Sequence, residues 1–315
     1  MLMKVTRDRE KISRANSPVV TIGNFDGVHL GHQALLKEVV TKAKSIGGES
    51  IVLTFHPHPL AAIAPHLKPQ FLTTLDEKLS LFERAGIMHT ICLEFSSALA
   101  ATPPATFVND VLNRGIGVRE VYVGKTFKFG KDRAGTIEDL IRLGPEMGFH
   151  VTPILSVQME GETVSSSIIR KRIQEGRVAE AGRLLGRQYT IAGIVQKGEK
   201  NGSAMGYPTA NIPLSVDRVI PPSGVYATIA TIDAIRYHSV SYIGTRPTFH
   251  GTEQLLEVHV FDMEADLYGK HMVVGFSEYV RGDMVFPDAT SLARQIENDV
   301  RHAHQVLATP GAETY

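Results

Sequence analysis

The sequence of 315 residues has one cysteine, no long apolar run and no excess charge of either sign. The single cysteine, Cys92, cannot form a disulfide within the chain, which excludes a secreted disulfide scaffold. Cys92 lies in an apolar, strand-like run, where cysteine usually serves as a small core residue. No stretch approaches the roughly 18 apolar residues of a membrane helix, and the polar N-terminal segment does not resemble a signal peptide. We predict a cytoplasmic protein without a membrane partner.

The charge balance argues against one class of function. The chain has 33 basic and 33 acidic residues, so its formal net charge is zero. Proteins whose main role is to bind nucleic acid usually carry a basic excess, and we therefore expect no nucleic-acid partner. Hydrophobic residues at 43% and charged residues at 21% are ordinary for a folded protein. At roughly 150 residues per domain, the length predicts about two domains.

The first part of the chain alternates strand-like and helix-like segments. This alternation predicts a parallel sheet covered by helices on both faces, and such sheets bind ligands at the carboxyl ends of their strands. Thr74 and Glu77 form a predicted capping box at the start of one helix. The predicted strands are 19–23, 50–55, 90–95, 120–124 and 150–155, and the predicted helices are 32–46, 75–85 and 136–143.

The pattern changes after about residue 185. Strand-like runs follow one another there with turn residues between them, which predicts an antiparallel barrel or sandwich. These runs are 189–196, 224–233, 238–243, 255–262 and 271–280, and residues 291–307 form a predicted closing helix. A helical segment at 165–185 is predicted to link the two parts.

One segment between the first strand and the first helix has the character of a phosphate-binding loop. Its glycines, Gly23, Gly27 and Gly31, allow the backbone to turn sharply and approach a ligand. The helix that follows offers unpaired N–H groups to phosphate, and His29 and His32 can donate to phosphate oxygens. A bare His-x-x-His pair would favour two satisfied loop histidines or a metal site. The glycines and the strand-to-helix position favour phosphate instead.

The segment Phe25-Asp26-Gly27-x-His29-x-Gly31-His32 resembles the signature of the nucleotidyltransferase superfamily, in the form carried by bacterial bifunctional riboflavin kinase/FAD synthetases. The resemblance implies that His29 and His32 stabilise the triphosphate of ATP while an acceptor phosphate attacks its α-phosphorus. It implies nucleotide or flavin contacts for residues in four stretches that follow the family's order. These are Gly23, Phe25, Asp26, Gly27 and Gly31; Pro57, His58 and Pro59; Phe127 and Phe129; and Ser165, Ser166, Ser167 and Arg170.

Two of these stretches are weak signals without the resemblance. The histidines around Pro57 hint at a metal, although a plain proline-stiffened loop explains them better. The serines from Ser165 to Ser167 can form an ordinary helix N-cap.

A glycine-rich segment precedes Pro208-Thr209-Ala210-Asn211, which resembles the riboflavin kinase motif. Such a turn supplies N–H groups for phosphate, and the side-chain oxygens of Thr209 and Asn211 suit Mg²⁺. Taken alone, the segment could be a glycine-rich barrel corner. The resemblance assigns Mg²⁺ and the nucleotide to Thr209 and Asn211. It assigns nucleotide or flavin contacts to Gly198, Gly206, Pro208 and Arg281.

Glu257 is the residue to which the resemblance assigns the role of general base for the 5′-hydroxyl of riboflavin. A carboxylate suits phosphoryl transfer, which needs an oriented hydroxyl more than a strong base. The alternative is a charge on the outward face of an alternating strand, with Val258 pointing inward.

The resemblance spans nearly the whole chain and implies two domains. The first, 1–185, is a Rossmann-like parallel-sheet α/β adenylyltransferase domain, and the second, 186–315, is a six-stranded antiparallel β-barrel kinase domain with a C-terminal helix. The implied reactions convert riboflavin to FMN and FMN to FAD and pyrophosphate, with ATP as co-substrate and Mg²⁺ as cofactor. We expect a monomer or a weak homo-oligomer. The alternatives are a monofunctional enzyme with one decayed site and a flavin- or nucleotide-binding regulatory protein without turnover.

Four positions depart from the family pattern. Thr126 stands where Asn or Asp is usual, Ser167 replaces Thr, Ser203 replaces arginine, and Asp283 replaces glutamate. The changes at 126 and 203 each remove a group that could assist catalysis. We expect them to affect rates more than the identity of the ligands.

Overall fold

The computed structural model describes residues 2–197, 206–248 and 251–309. The chain divides into two compact units, Met1–Ser166 and Ser167–Tyr315. The predicted linking segment, 165–185, therefore falls almost wholly in the second unit.

The first unit is built on a six-stranded parallel sheet with the order β1-β4-β3-β2-β5-β8. Two small antiparallel pairs, β6–β7 and β9–β10, lie outside it. The strands are β1 (Lys4–Thr6), β2 (Val19–Ile22), β3 (Ser50–His56), β4 (His89–Glu94), β5 (Glu120–Gly124), β6 (Lys128–Phe129), β7 (Gly135–Thr136), β8 (His150–Ile154), β9 (Gln158–Met159) and β10 (Glu162–Thr163).

All five predicted strands of this sheet are confirmed. The edge strand β1 was missed because it is short and only Thr6 of its residues is buried. β1 pairs with β4, and a side-chain hydrogen bond also joins the two strands. In this bond, Nε2 of His89 lies 2.9 Å from the hydroxyl oxygen of Thr6. Cys92 is buried in β4, as predicted for a core residue.

The strand order reverses between β2 and β5. From β2 the chain moves outward to β3 and β4 on one side, and then crosses to β5 and β8 on the other. Loops that follow the strands at such a switch point border a crevice at the carboxyl edge of the sheet, where ligands bind. The loop after β2 is the predicted phosphate-binding loop, and the loop after β5 carries Phe127 and Phe129.

Helices cover both faces of the sheet. Helices α1 and α3 pack with Val19 and Val52 on one face, and the π-helical segment Val108–Ile116 and α6 pack with Val20 and Ile51 on the other. The predicted capping box is confirmed, because the Thr74 hydroxyl accepts from the N–H of Glu77 and the Glu77 carboxylate accepts from the N–H of Thr74, at 3.2 and 2.8 Å. The helices of the unit are α1 (Leu30–Ser45), α2 (Pro59–Ile63), α3 (Leu75–Arg84), α4 (Ser97–Ala100), α5 (Pro104–Phe107) and α6 (Ile137–Glu146), with short 3₁₀ turns at Arg9–Lys11, Pro65–Leu67 and Lys131–Arg133.

The second unit is a nearly closed six-stranded antiparallel barrel with the order β11-β16-β13-β14-β15-β12. The two end strands meet where the N–H of Gln196 donates to the carbonyl of Asn211 at 2.8 Å. The strands are β11 (Tyr189–Ile194), β12 (Ala210–Pro213), β13 (Gly224–Ile232), β14 (Ile235–Thr248), β15 (Gly251–Val260) and β16 (His271–Arg281), and the helices are α7 (Ser166–Gln174), α8 (Val178–Leu185) and α9 (Ala289–Leu307). The predicted fold class, with its parallel sheet, barrel and C-terminal helix, is confirmed.

No helix in the described part of the chain is both long enough and apolar enough to cross a membrane.

Candidate active sites

The loop between β2 and α1 has an unusual backbone conformation. Phe25 has a φ of 52° and Val28 a φ of 39°, in the left-handed region that residues other than glycine rarely adopt. Both side chains are buried and pack in the core beside α1. Such conformations cost on the order of 1–3 kcal/mol each and cluster at functional sites. The surrounding contacts therefore hold this loop in a shape that its residues do not favour by themselves.

Two glycines of the loop are required by its geometry. Gly27 has a φ of 81°. A Cβ on Gly31 would lie 3.2 Å from Nδ1 of His29, so a larger residue would require that ring to shift by a few tenths of an ångström. Gly23, the third predicted glycine, directly follows β2 and donates its N–H to the carbonyl of Leu53 at 3.1 Å.

His29 and His32 form a stacked pair at the N-terminus of the 16-residue helix α1. Their ring centroids are 3.6 Å apart, and the ring planes differ by 18°. His29 is the N-cap residue, and its Nδ1 accepts from the backbone N–H of His32 at 3.4 Å. In the neutral His29 ring the proton therefore lies on Nε2, which acts as a donor.

The surroundings of His32 disfavour a charged imidazole. Burial first, and then the neighbouring His29 and the ammonium of Lys78, hold the pKa of His32 well below its ordinary value of 6.5. Phe25 packs edge-on against the ring at a centroid distance of 5.1 Å. Nδ1 of His32 is buried and has no hydrogen-bond partner among the described residues. Buried polar atoms without a partner are rare and call for an explanation, such as a ligand.

Asp26 ties the loop to the segment that precedes α3. Its two carboxylate oxygens accept from the N–H of Leu72 at 3.0 and 3.1 Å, and Oδ1 also accepts from the N–H of Thr73 at 3.2 Å. The carbonyl of Asp26 accepts from the hydroxyl of Ser166 at 2.8 Å. Asp26 is only 5% exposed. These bonds show that it shapes the loop, a role that sequence analysis did not foresee.

The serine motif is divided between the two units. Ser165 is half-buried and precedes α7, and Ser166 belongs to the first unit through its hydrogen bond to the loop. Ser167, which is exposed, and Arg170, which is half-buried, lie in α7 and belong to the second unit. The predicted contacts of Ser167 and Arg170 with ATP phosphates stay predictions.

Pro57, His58 and Pro59 form the turn from β3 into α2. The peptide bond before Pro57 is cis, and Pro59 is the first residue of α2. His58 caps α2 by accepting from the N–H of Leu60 at 3.1 Å, and its ring packs against Phe71 at a centroid distance of 4.8 Å. The described residues contain no group of three or more histidine, cysteine, aspartate or glutamate side chains placed to hold a metal ion.

Phe127 and Phe129 follow β5, on the other side of the switch point from the histidine pair. Their rings stack with centroids 5.6 Å apart. Phe129 is buried against Phe107, whereas Phe127 is half-buried. Thr126 is exposed in the turn that the N–H of Phe127 closes on the carbonyl of Gly124 at 2.9 Å. Phe127 therefore offers more surface to a ligand than Phe129 does.

Lys78 is a buried residue near the loop that sequence analysis missed. Its side chain is on α3 and is 7% exposed, and Nζ donates to the carbonyl of Asn24 at 3.0 Å and to the hydroxyl of Thr54 at 3.4 Å. Burial lowers the pKa of Lys78 from its ordinary value. Its spacing was an available signal, because Lys78 and Phe82 lie four residues apart and so on one face of the helix.

The second unit contains a cavity of about 390 Å³ beside β14, β15 and α9. This volume is within the range of small-molecule sites. Three residues predicted for the kinase site, Thr209, Glu257 and Arg281, line it together. Residues that were not predicted as ligand contacts complete much of the wall: Tyr207, Val225, Val240, Ser241, Tyr242, His259, Met284, Phe286, Leu292, Ile296 and Asp299.

Glu257 stands in the middle of a row of polar residues on three neighbouring strands. In the strand register it lies opposite Asn211 of β12 and opposite Tyr242 of β14. Cross-strand partners project from the same face of a sheet. Val258 is 1% exposed, as the predicted alternation requires, whereas Glu257 is half-buried and lines the cavity.

Thr209 and Asn211 lie on either side of the first residue of β12. The Asn211 side chain is 6% exposed, and its Nδ2 donates to the carbonyl of Thr209 at 3.4 Å. This bond uses the amide nitrogen and leaves the carboxamide oxygen as the acceptor. A hydroxyl, a carboxamide oxygen and the nearby carboxylate of Glu257 are the kind of oxygen ligands that Mg²⁺ prefers. The residues present therefore fit this ion.

His259 fixes the start of the same motif. Its Nδ1 lies 2.9 Å from the carbonyl oxygen of Pro208. Because a carbonyl can only accept, Nδ1 must carry a proton. The Tyr207 ring packs edge-on against the His259 ring at a centroid distance of 5.4 Å. Gly206, which precedes Tyr207, has a φ of 86°. Gly198, a predicted ligand contact, and Ser203, which differs from the family pattern, lie outside the described residues.

Arg281 is bound to the C-terminal helix. Its guanidinium makes three hydrogen bonds to the carboxylate of Asp299, at 2.9, 3.0 and 2.7 Å, and a fourth to the carbonyl of Gly282 at 2.9 Å. Gln295 also donates to Asp299, at 2.8 Å. Arg281 thus joins α9 to the wall of the cavity.

Asp283, one of the departures from the family pattern, also faces the cavity. Its Oδ1 accepts from the hydroxyl of Tyr242 at 3.0 Å. Burial, together with this hydrogen bond, raises the pKa of Tyr242 to about 12. Tyr242 therefore stays protonated at neutral pH and acts as a donor. The shorter acid still reaches a partner in the wall.

Comparisons with protein families match each unit separately. The FAD synthetase family matches residues 11–168, and the riboflavin kinase family matches residues 185–307.

Individual relatives match nearly the whole chain. The bifunctional riboflavin kinase/FMN adenylyltransferase of Escherichia coli strain K12 is 36% identical over 300 residues, which cover 94% of this chain and 96% of the relative. The protein of the same name from Pseudomonas fluorescens is 38% identical over 295 residues, 93% of this chain and 94% of the relative. A solved structure described as a macrolide-efflux protein, from Streptococcus pneumoniae, superposes with a TM-score of 0.89 at 28% identity, over 96% of this chain and 99% of that one. The chain belongs to the family of bifunctional riboflavin kinase/FMN adenylyltransferases.

Proposed function

We propose that the two reactions of this bifunctional enzyme take place in separate units. The cavity of the second unit phosphorylates riboflavin to FMN, and the loop between β2 and α1 in the first unit adenylylates FMN to FAD. The observation that carries this assignment is the stacked pair of His29 and His32 at the N-terminus of a helix, which begins at the switch point of a parallel sheet. Such a position suits phosphate.

In the adenylylation, a phosphate oxygen of FMN attacks the α-phosphorus of ATP. The bond from that phosphorus to the bridging oxygen breaks, and pyrophosphate leaves. The reaction needs in-line positioning and charge stabilisation, without a covalent enzyme intermediate. His29 donates from Nε2, and His32 donates from Nδ1, the atom that has no partner among the described residues. The predicted contacts of Pro57, Phe127 and the other carboxyl-edge residues belong to the same proposal.

In the phosphorylation, Glu257 accepts the proton of the riboflavin 5′-hydroxyl. The hydroxyl oxygen attacks the γ-phosphorus of ATP, and ADP leaves. Glu257 suits this role because it faces a cavity of the right size and is held between Asn211 and Tyr242. The hydroxyl of Tyr242, which donates to Asp283, and the guanidinium of Arg281, which donates to Asp299, orient the wall around the substrate.

Thr209 and Asn211 would hold Mg²⁺ in this unit. The ion, when bound, neutralises negative charge on the ATP phosphates. His259 supports the two ligands indirectly, because it holds the carbonyl of Pro208 directly before them.

We also propose that the protein acts in the cytoplasm on small molecules as a monomer or a weak homo-oligomer, without nucleic-acid or membrane partners. The zero net charge supports the absence of a nucleic-acid partner.

One incubation with riboflavin, ATP and Mg²⁺, resolved by chromatography over time, tests the proposed pair of reactions. We expect FMN to accumulate first, and FAD and pyrophosphate to follow. Accumulation of FMN alone would indicate a kinase with a decayed adenylylation site. Bound flavin without any product would indicate a regulatory protein.

A further inference from the structure

The strained loop of the adenylylation site is anchored by the segment that leads into α3. The carboxylate of Asp26 accepts from the N–H groups of Leu72 and Thr73. The next residue, Gly27, donates its N–H to the hydroxyl of Thr73 at 3.0 Å. The second half of the loop is therefore fixed by backbone amides and one hydroxyl.

The first half of the loop is anchored by α3 itself. Lys78 and Phe82 are the buried residues of this helix, and each contacts a different loop residue. The Lys78 ammonium binds the carbonyl of Asn24 and, on β3, the hydroxyl of Thr54. The Phe82 ring packs edge-on against the Phe25 ring at a centroid distance of 5.5 Å. Lys78 thus joins the loop, the helix and the end of a central strand.

A buried ammonium in this position is costly. Lysine is almost never buried unless it is paired, and burial of its charge without a carboxylate in direct hydrogen-bond contact loses most of its hydration. The hydrogen-bond partners of Lys78 among the described residues, a carbonyl and a hydroxyl, are neutral. A methionine would fill the same space without this cost. The presence of an ammonium here therefore points to a function beyond packing.

We propose that Lys78 is a positioning residue of the adenylylation site, which holds the Asn24–Phe25 backbone in place and thereby fixes the His32 ring that packs on Phe25. This role rests on the proposed function of the loop. Loss of the ammonium frees the carbonyl of Asn24, and the first half of the strained loop can then relax toward an ordinary conformation.

The charge of Lys78 has a second effect on the same ring. After burial and His29, it lowers the pKa of His32, and after burial it also lowers the pKa of His56. Burial lowers the pKa of Lys78 itself, and the nearby Cys92 and Asp26 act in the opposite sense. Without the ammonium, the pKa of His32 moves up toward its ordinary value of 6.5. The His32 titration therefore reports the effect of the Lys78 charge on this ring, whereas kcat for FAD formation reports the positioning of the loop.

The test compares Lys78→Met with Lys78→Arg in the full chain. Lys37, an exposed lysine on α1, gives the matched control Lys37→Met. FAD formation from supplied FMN and ATP, riboflavin phosphorylation, and the His32 imidazole titration by NMR are measured for each protein. For Lys78→Met we expect FAD formation to fall about 10²-fold in kcat, the size of effect that a small misplacement produces. We expect riboflavin phosphorylation to be unchanged and the midpoint of the His32 titration to move to higher pH.

Lys78→Arg keeps the charge, so we expect it to preserve the low His32 midpoint and to retain more activity than Lys78→Met. Thr54→Val, which removes one acceptor and leaves the ammonium, substitutes for Lys78→Met if that variant does not fold, and we expect it to lower kcat for FAD formation. Parental FAD formation together with an unchanged His32 midpoint in folded Lys78→Met would overturn the proposal. A raised midpoint with parental FAD formation would overturn the positioning role. The titration does not depend on catalysis. It therefore tests the effect of Lys78 on His32 even if the adenylylation site has been assigned wrongly.

Discussion

Glu257 and Asn211 lie directly opposite each other on β15 and β12. This pairing places the proposed general base beside a proposed Mg²⁺ ligand, although the two residues are far apart in sequence. Tyr242 lies on the other side of Glu257 in the strand register. The carboxylate therefore faces the cavity from the middle of three adjacent strands.

We expect Glu257→Gln to stop riboflavin phosphorylation and to leave the conversion of supplied FMN to FAD intact. The amide keeps the size of the side chain and some hydrogen bonding, but it cannot accept the proton. Initial rates of FMN and FAD formation on one purified preparation check this prediction. Phosphorylation near the parental rate would show that Glu257 is an ordinary strand residue.

His29→Ala combined with His32→Ala should abolish FAD formation while FMN still accumulates. Loss of one donor to a transition state typically costs about 10²–10³ in rate, so loss of both is easily detected. The kinase reaction of the same protein serves as the control for folding. If FMN production disappears as well in a folded variant, the division of the two reactions between the units is wrong.

The stability of the first unit should decrease as the pH is lowered, partly because of His32. Its pKa is lowered in the folded protein and is ordinary in the unfolded chain, so the unfolded state binds more protons just below pH 6.5. The contribution of His32 is therefore complete above pH 6.5 and is lost as the pH falls toward the folded pKa. Denaturant unfolding between pH 7.5 and pH 5, followed by probes in the first unit, measures this change against His32→Gln. The parent should lose more stability than the variant over this range, and equal losses would contradict the prediction.

Asp299→Ala should destabilise the second unit and weaken riboflavin binding. Removing one partner of a buried ion pair costs about 3–5 kcal/mol, and we expect the lower end because the Arg281 side chain is 18% exposed. The freed guanidinium also loses its orientation at the cavity wall, so KM for riboflavin should rise. Glu297→Ala, which removes an exposed ion pair on the same helix, is the control and should stay close to the parent. Chemical unfolding and kinase kinetics on both variants check the difference.

Much of this architecture was predictable from local sequence pattern. The alternating segments gave the buried strands β2 to β5 because parallel strands covered on both faces are continuously apolar, and Thr74 and Glu77 marked the start of α3 through capping chemistry. Strand β12 was missed, since four residues after a glycine-rich turn carry too little periodicity. Its pairing with β15 is a long-range contact that no local pattern encodes.

The site was predictable in its residue types and less so in their roles. Asp26 is in the expected loop, but its hydrogen bonds to Leu72 and Thr73 depend on a segment that the fold brings next to it. Lys78 was missed because a lysine in an amphipathic helix is usually solvated. Its spacing from Phe82 was the one signal in the sequence, and the packing of α3 against the sheet shows that this lysine is buried.

Thr126 stands where the family pattern has Asn or Asp. Thr126 is exposed in the turn after β5, across the switch point from the histidine pair. A carboxamide there reaches farther than the threonine hydroxyl. We expect that hydroxyl to contact a ligand through water or not at all. We expect Thr126→Asn to raise FAD formation from FMN about two- to tenfold, the equivalent of one net hydrogen bond of about 0.5–1.5 kcal/mol, and to leave the kinase reaction unchanged. Thr126→Val keeps the shape without the hydroxyl and should match the parent. Unchanged or reduced FMN adenylylation by purified Thr126→Asn would mean that the side chain only ends the strand and does not face the cleft.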